Sequence, residues 1–344
     1  MTQHFLPDDS IDLEDVADIA AETALKTQSF TVESLVHAAR LDVFLAHAMT
    51  DYSRSKIAQW IEKGNVSVDQ IVASKSKQSL KLGQQVVVSI EPNPETLAYL
   101  PEALDLNVVY QDKDLFVINK PAGLVVHPAA GNWNGTLLNG LLHLDSKLSE
   151  VPRAGIVHRL DKDTSGLMVV ARHVISQTDL VRQLATRTVK REYLALVWGA
   201  MSAPVWVDQP IGRDPRDRLK MTVLHDGKPA KTRFQPLVAW KTAHQQVVTL
   251  VKCTLETGRT HQIRVHAKHL KRPIVNDPLY GDMRLDTLHQ LANNRQFLHA
   301  FRLGLHHPNN KEWMSWSAKP PQDLQDLLTQ LHIEYDLSAA TQTQ

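Results

Sequence analysis

His158-Arg159-Leu160-Asp161-Lys162-Asp163-Thr164-Ser165-Gly166-Leu167 decides how the rest of this chain is read. It sets the carboxylate of Asp161 among three fixed or potential cations, His158, Arg159 and Lys162, in a segment expected to turn on Gly166. The apolar run Leu167-Met168-Val169-Val170-Ala171 follows at once. A polar loop held by a buried strand is the arrangement in which loops carry chemistry and rigid elements place it. A carboxylate kept ionised beside cations is also a simple nucleophile or base. From these residues alone two readings stand side by side: a functional loop, or a solvated charge cluster at the start of a strand. Asp163, before Thr164, reads as a turn-stabilising side chain rather than a second acid.

Three further segments could meet this loop. Arg191-Glu192-Tyr193 leads into the apolar stretch Leu194-Ala195-Leu196-Val197, so Tyr193 falls at a strand start, where its ring can stack on a flat substrate. Glu256 to Arg264 turns on Gly258 and then opens a helix capped near Thr260, with Ile263, Ala267 and Leu270 on one face and Arg264 pointing away from it. Lys120-Pro121-Ala122-Gly123-Leu124 follows a strand and reads as a shaped loop, in which Lys120 either touches phosphate or serves the loop itself. Strands are expected at 108–110, 115–118, 194–197 and 247–251, and helices at 135–144, 176–186, 260–270 and 321–332. Strands and helices interleave without the glycine fingerprints of nucleotide-binding folds, which predicts a mixed α+β domain around a largely antiparallel sheet.

Composition bounds the class. The 344 residues are 43% hydrophobic and 22% charged, as in an ordinary globular protein long enough for one large and one small domain. No run of eighteen apolar residues and no secretory signal is read, so a cytoplasmic protein without a membrane span is expected. The single cysteine, Cys253, lies in an apolar run and reads as a core thiol in a reducing compartment. The net charge of +1 hides an asymmetry. Residues 1–34 hold eight acids and one base, and the remainder holds 37 Lys+Arg against 29 Asp+Glu. A basic body suits a polyanion, and the acidic arm reads as a solvated, disordered tail. The Arg- and Lys-rich turn at 210–220 fits an RNA-contacting loop.

Domain boundaries are expected at 1–34 (arm), 35–91 (small domain), 92–100 (a linker punctuated by Pro92 and Pro94), 101–334 (main domain) and 335–344 (tail). In the small domain, Ser53 caps a helix that buries Ile57, Trp60 and Ile61, Gly64 ends it, and strands follow at 66–68 and 86–90. Arg54, Lys56 and Lys63, with Lys75, Lys77 and Lys81, make a plausible phosphate-binding groove. The residues Arg40-Leu41-Asp42, Ser53 to Lys56, Ile61, Gly64, Val66 and Val68 resemble the S-four RNA-binding domain, a small αL module. This chain departs from that pattern after Val68, where Asp69-Gln70 stands in place of an Asn/Asp-Gly pair.

The segments Gly155–Ala171, Arg191–Tyr193, Glu256–His266 and Asp277–Gly281 together resemble the RluA family of pseudouridine synthases, in order and over about residues 35–330 with the small domain included. The resemblance implies a pseudouridine synthase fold and the isomerisation of uridine in large-subunit ribosomal RNA or a precursor subunit, by a monomer with no cofactor and no metal. It places Asp161 as the catalytic aspartate, Tyr193 as the tyrosine packing on the base, and Arg264 as the arginine paired with that aspartate. Arg159 matches a side chain that fills the gap left by a flipped-out base, and His158, Lys120, Arg54, Lys56 and Lys63 are expected substrate contacts. Two alternatives remain. One is a non-catalytic RNA-binding assembly factor on the same scaffold; the other is a hydrolase using His158 and Asp161, for which a matching nucleophile motif is missing. The spacing of His158, His261, His266 and His269 matches no familiar zinc pattern.

Overall fold

The computed structural model describes residues 26–34, 40–90, 96–129, 131–242, 245–281 and 295–335. The chain divides into a smaller unit ending at Leu100 and a larger one beginning at Pro101. Of the expected acidic arm, residues 1–25 lie outside the described residues, as does most of the expected tail. The arm's last residues correct the expectation of a disordered tail up to residue 34. Lys26–Thr31 is strand β1, paired antiparallel with Gln85–Ile90 (β4), and Val32 is fully buried. Only one of the arm's nine charged side chains, Lys26, falls in this strand, and the remaining acids of 8–22 do not interrupt it. The expected linker also holds a short 3-10 turn at Thr96–Tyr99.

The smaller unit packs Leu41–Ala48 (α1) and Arg54–Glu62 (α2) on a four-stranded sheet of order β1-β4-β2-β3, with β2 at Val66–Val68 and β3 at Ile71–Val72. The Ser53 side chain accepts the Lys56 N–H and so caps α2. Ile57, Trp60 and Ile61 then fall on one buried face, with Tyr52 edge-on to Trp60 at 4.8 Å. Gly64, at φ +82°, takes the left-handed conformation that turns the chain out of the helix.

The β2–β3 hairpin explains how the unusual turn is tolerated. Asp69 and Gln70 have φ of 50° and 68°, the two-residue geometry that glycine and asparagine favour. The Asp69 carboxylate accepts hydrogen bonds from the Gln85 N–H at 2.9 Å and from the Gln84 amide at 2.8 Å, which braces it and lowers its pKa. Gln70 has no comparable brace among the described hydrogen bonds. Gln70→Gly should therefore raise the stability of the full chain by about 1 kcal/mol, read as a higher urea midpoint for this unit; a lower midpoint would contradict the strained-turn account.

The larger unit is built on a nine-stranded sheet. Its path runs Val108–Gln111 (β5), Leu115–Lys120 (β6), Ser165–Ala171 (β7), Leu298–His306 (β14), Lys190–Trp198 (β8), Val247–Leu255 (β13), Lys231–Lys241 (β12) and Val205–Asp208 (β9). Trp313–Ser317 (β15) pairs with β14, and Ile211–Arg213 (β10) and Met221–Val223 (β11) form a separate hairpin. All pairs in the large sheet are antiparallel except β7 with β14. The mixed, largely antiparallel α+β architecture is thus the one expected.

The apolar run of β7 is continuous because both faces of the strand are covered. Met168 and Val170 join the core that includes Leu137 and Leu141 of Leu137–Leu144 (α3) and Leu324, Leu327 and Leu328 of Gln322–Gln330 (α6). Leu167, Val169 and Ala171 join the core on the other face, with Leu180 of Val174–Ala185 (α4). Gly166 proves to be a strand residue rather than the turn. Its φ is +120°, and a Cβ there would lie 2.3 Å from the Ala300 carbonyl oxygen, so glycine is what lets β14 pair in parallel at this point. No helix among the described residues is long and apolar enough to cross a membrane.

Candidate active site

The loop before β7 is pinned from three sides. Lys120, at the end of β6, is fully buried, and its Nζ donates to the carbonyls of Pro121, Leu124 and Lys162 at 2.8, 2.9 and 2.9 Å. Gly123 N–H donates to the same Lys162 carbonyl. Arg295 donates to the Asp163 carbonyl while its fork grips Asp323, and Gln296 donates to the Thr164 hydroxyl. Ser165 meets His299 Nδ1 at 2.9 Å. The turn itself is closed by Thr164 N–H to the Asp161 carbonyl. Backbone contacts and distant side chains hold it, and among the described residues no hydrogen bond to the carboxylate of Asp163, the expected stabiliser, contributes.

Arg264 reaches the loop from Gln262–His269 (α5). Its Nε and Nη2 fork onto the two oxygens of the fully enclosed Asp277 side chain at 2.8 and 2.9 Å, and its Nη1 donates to Asp161 Oδ2 at 3.0 Å. Burial alone would lower the Arg264 pKa, but the two carboxylates outweigh it and push it up. Asp277 also accepts the N–H groups of Leu279 and Tyr280, so one side chain both closes its own turn and aims the arginine. Asp161 Oδ1 accepts no hydrogen bond among the described residues, and His261 Nε2 stands 3.9 Å from it. One carboxylate oxygen is fixed and the other is left unbonded among the described residues.

Helix α5 begins differently from expectation. Its cap position is His261 in left-handed conformation at φ 56°, without a side-chain cap; Thr260 does not cap it. Gln262 does the bracing instead, its Oε1 accepting from Thr257 Oγ1 and Arg259 N and its amide donating to the Lys231 carbonyl and Thr232. His261 Nδ1 contacts the Tyr280 hydroxyl at 2.8 Å, and that hydroxyl oxygen accepts the Met221 N–H.

Asp161, Tyr193, Arg264, Arg159 and His158 all line one cavity of about 650 Å³. Six arginines line it, at 153, 159, 187, 191, 259 and 264, against two carboxylates, Asp161 and Glu256, a balance that favours an anionic ligand. Tyr193 is buried, and burial pushes its hydroxyl up to about 12, so it stays protonated at neutral pH. Arg159 is exposed at the cavity wall.

Several expected substrate contacts have other partners. Lys120 is no phosphate ligand, because its ammonium is enclosed and its three donors meet three carbonyls; burial pulls it down to about 7 against the raising effect of Asp163 and Asp161. His158 is not a cation. Its Nε2 accepts the Val169 N–H at 3.0 Å, and burial, aided by Arg191, lowers its pKa to about 3. Arg54, in the smaller unit, is ion-paired with the buried Asp42 at 2.7 Å, which Arg40 also grips. Lys56 lies 5.8 Å from the Trp60 ring centre, and Lys63 is exposed. His266 bonds Thr232 and the Gln209 carbonyl, and Cys253 is a fully buried thiol pushed up by burial. Among the described residues, a group close enough to share an ion is Asp112, Asp114 and His307, at the opposite ends of β6, β7 and β14 from the cavity.

The neutral His158 predicts acid sensitivity. Between the ordinary histidine pKa of about 6.5 and its folded value of about 3, the unfolded chain binds a proton that the folded chain does not. The stability involved is fully present above pH 6.5 and is lost as pH falls, by up to about 1.4 kcal/mol per pH unit. His158→Gln keeps an acceptor for Val169 without titrating, so urea unfolding of the variant between pH 6.5 and 4 should show a flatter pH slope than the parent. An identical slope would refute this account of His158.

Comparison with known proteins settles the family. A model described as RNA pseudouridylate synthase matches residues 114–269, and one described as S4 domain matches residues 39–86. The ribosomal large subunit pseudouridine synthase D of Neisseria meningitidis serogroup B is 45% identical over 341 residues, covering 97% of this chain and 90% of that one. This chain belongs to the RNA pseudouridylate synthase family. The synthase of the same name from Xanthomonas campestris pv. campestris is 48% identical over 300 residues, covering 85% and 88% of the two chains. Human RNA pseudouridylate synthase domain containing 1 shares the fold with a TM-score of 0.54 at 25% identity, over 70% of this synthase and 95% of the human chain.

Aspects of the synthase site went unread in the sequence. Asp277 belongs to a segment whose family likeness was legible, but its grip on Arg264 needs the fold. Arg191 stands two residues from Tyr193 on a strand, and that alternation alone places both on one face.

Proposed function

We propose that this synthase isomerises uridines to pseudouridine in large-subunit ribosomal RNA, with Asp161 as the reacting carboxylate, Tyr193 packing on the base and Arg264 holding the carboxylate in place. The observation that carries this is the division of Asp161: Oδ2 bonded to Arg264 at 3.0 Å and Oδ1 left toward a cavity walled by arginines. The reaction breaks N1–C1′, turns the uracil and joins C5 to C1′. A proton lost from C5 is matched by one gained at N1, so the step is redox-neutral and the chain's own groups suffice. Asp161 serves either as nucleophile at C1′ or in forming a glycal.

Reaching a stacked uridine costs a few kcal/mol, and a buried aromatic such as Tyr193 recovers part of it. Arg159, exposed at the cavity wall, is suited to enter the stack that the base leaves. The smaller unit supplies affinity through Lys56, Lys63 and the exposed Lys75, Lys77 and Lys81. The same reading has the protein acting as a monomer in the cytoplasm.

Purified protein should convert uridine in large-subunit ribosomal RNA, free or in precursor subunits, without additives, as read by carbodiimide-dependent reverse-transcription stops. Tight, salt-sensitive RNA binding without conversion on either substrate would overturn the catalytic reading in favour of an assembly factor.

A further inference from the structure

Arg191 is the second residue of β8 and shares a strand face with Tyr193. It is 7% exposed and lines the cavity, yet no hydrogen bond or ion pair of its guanidinium exists among the described residues. Its Nε is enclosed with no acceptor among the described residues. The other deeply buried arginines of this unit are matched by carboxylates: Arg264 by Asp277 and Asp161, and Arg295 by Asp323.

No carboxylate of the cavity is left for Arg191. Asp161 is bonded to Arg264, and Glu256 receives Arg187 and Lys231, each at 3.2 Å. The other polar neighbours are neutral: His158, with its Nε2 on the Val169 N–H, and the Tyr193 hydroxyl. The backbone makes room for the unpaired cation, since a Cβ on Gly258 would lie 2.7 Å from Arg191 Nη1.

A buried cation without a partner works against folding, so a fold that keeps one leaves it for an anion that arrives with the ligand. Uracil and ribose are neutral. The anionic groups of an RNA substrate are its phosphodiesters, which a guanidinium fork matches.

We propose that Arg191, with the clearance provided by Gly258, forms an anion subsite that takes a phosphodiester oxygen next to the uridine seated on Asp161. This rests on the function proposed above and adds to it the group that fixes the nucleotide's backbone. Phosphate contacts set register without reading sequence, so the subsite holds the sugar against Asp161 whatever bases flank it.

A two-by-two binding experiment tests this. The full-length parent and Arg191→Gln are each titrated with a ribosomal RNA fragment carrying a converted uridine. The fragment's phosphates on either side of that uridine are either natural or replaced singly by a neutral methylphosphonate. For the parent, one of the two replacements should weaken Kd by about ten- to a hundredfold. Arg191→Gln should lose about the same with natural RNA and nothing further with that replacement, while Arg191→Lys recovers part of the loss. Without RNA, the melting temperature of Arg191→Gln should equal or exceed the parent's, since an unpaired buried charge has been removed.

Losses that multiply, indifference of the parent to both replacements, or a fall in melting temperature that marks Arg191 as a structural residue would each overturn the subsite. Inorganic phosphate that raises the parent's melting temperature while neither methylphosphonate matters would assign the site to a free anion instead, and overturn the phosphodiester. A parent that converts no uridine sinks the proposed function and the subsite with it. A parent that converts RNA but shows multiplying losses sinks the subsite alone.

Discussion

Asp161→Asn should abolish pseudouridine formation, by about 10⁴-fold or more, while leaving RNA affinity and fold nearly intact. Asparagine has the shape of aspartate, and its carbonyl oxygen can still accept from Arg264 Nη1. The arginine itself does not depend on Asp161 for its position, because two of its three polar contacts go to Asp277. The surrounding loop is held by Lys120, Arg295 and Gln296, none of which bonds the Asp161 side chain. What the substitution removes is the carboxylate charge, on a side chain that lines the cavity. Single-turnover assays on ribosomal RNA, with filter binding in parallel, separate the two effects. Turnover within tenfold of the parent would remove Asp161 from the chemistry. A loss of RNA binding equal to the loss of turnover would recast it as a binding residue.

Arg264→Leu should be the most destabilising single change at the site, by about 3–5 kcal/mol. The Asp277 side chain is fully enclosed, and among the described residues the substitution leaves its charge with the N–H groups of Leu279 and Tyr280. It also removes the guanidinium that sits 5.0 Å above the Tyr280 ring, in a small core with Val265 and Ile211. For a unit of this size the melting temperature should fall by about 10 °C. Arg264→Lys should rescue poorly, since a single ammonium cannot fork onto Asp277 and reach Asp161 together. Adding Asp277→Asn to Arg264→Leu should restore part of the stability, because the buried charge goes with it, but none of the turnover. Calorimetry that finds Arg264→Leu within 2–3 °C of the parent would contradict the buried-pair account, given that about 1 kcal/mol moves a domain of 150–250 residues by that much.

The β7 run was legible because five consecutive apolar residues, Leu167–Ala171, mark a strand buried along its whole length, and α2 because its cap, apolar face and terminal glycine are all local. The gathering of Asp161, Tyr193 and Arg264 in one cavity was legible through the resemblance of their segments to a family, not through any periodicity. Gly166 was misread as a turn because a glycine signals backbone freedom without saying whether a turn or a neighbouring strand requires it. The Asp69-Gln70 turn shows the converse: its left-handed Asp69 is held by Gln84 and Gln85, fifteen and sixteen residues away.

By itself the sequence determined several elements, among them α2 and β7, the basic character of the main body and the residue types brought to the chemistry. These depend on spacing within a few residues. The tertiary structure alone decided which charges are available. Lys120 meets the carbonyl of Lys162 and His158 the amide of Val169, so neither is left free to hold RNA, while Arg54 grips the carboxylate of Asp42 with its side chain still half exposed. Asp161 and Arg264 are bonded across 103 residues of chain, while Arg191 has no carboxylate partner among the described residues. A charged side chain's role is set by its desolvation and its nearest partner, and both are properties of the folded chain rather than of any local stretch of it.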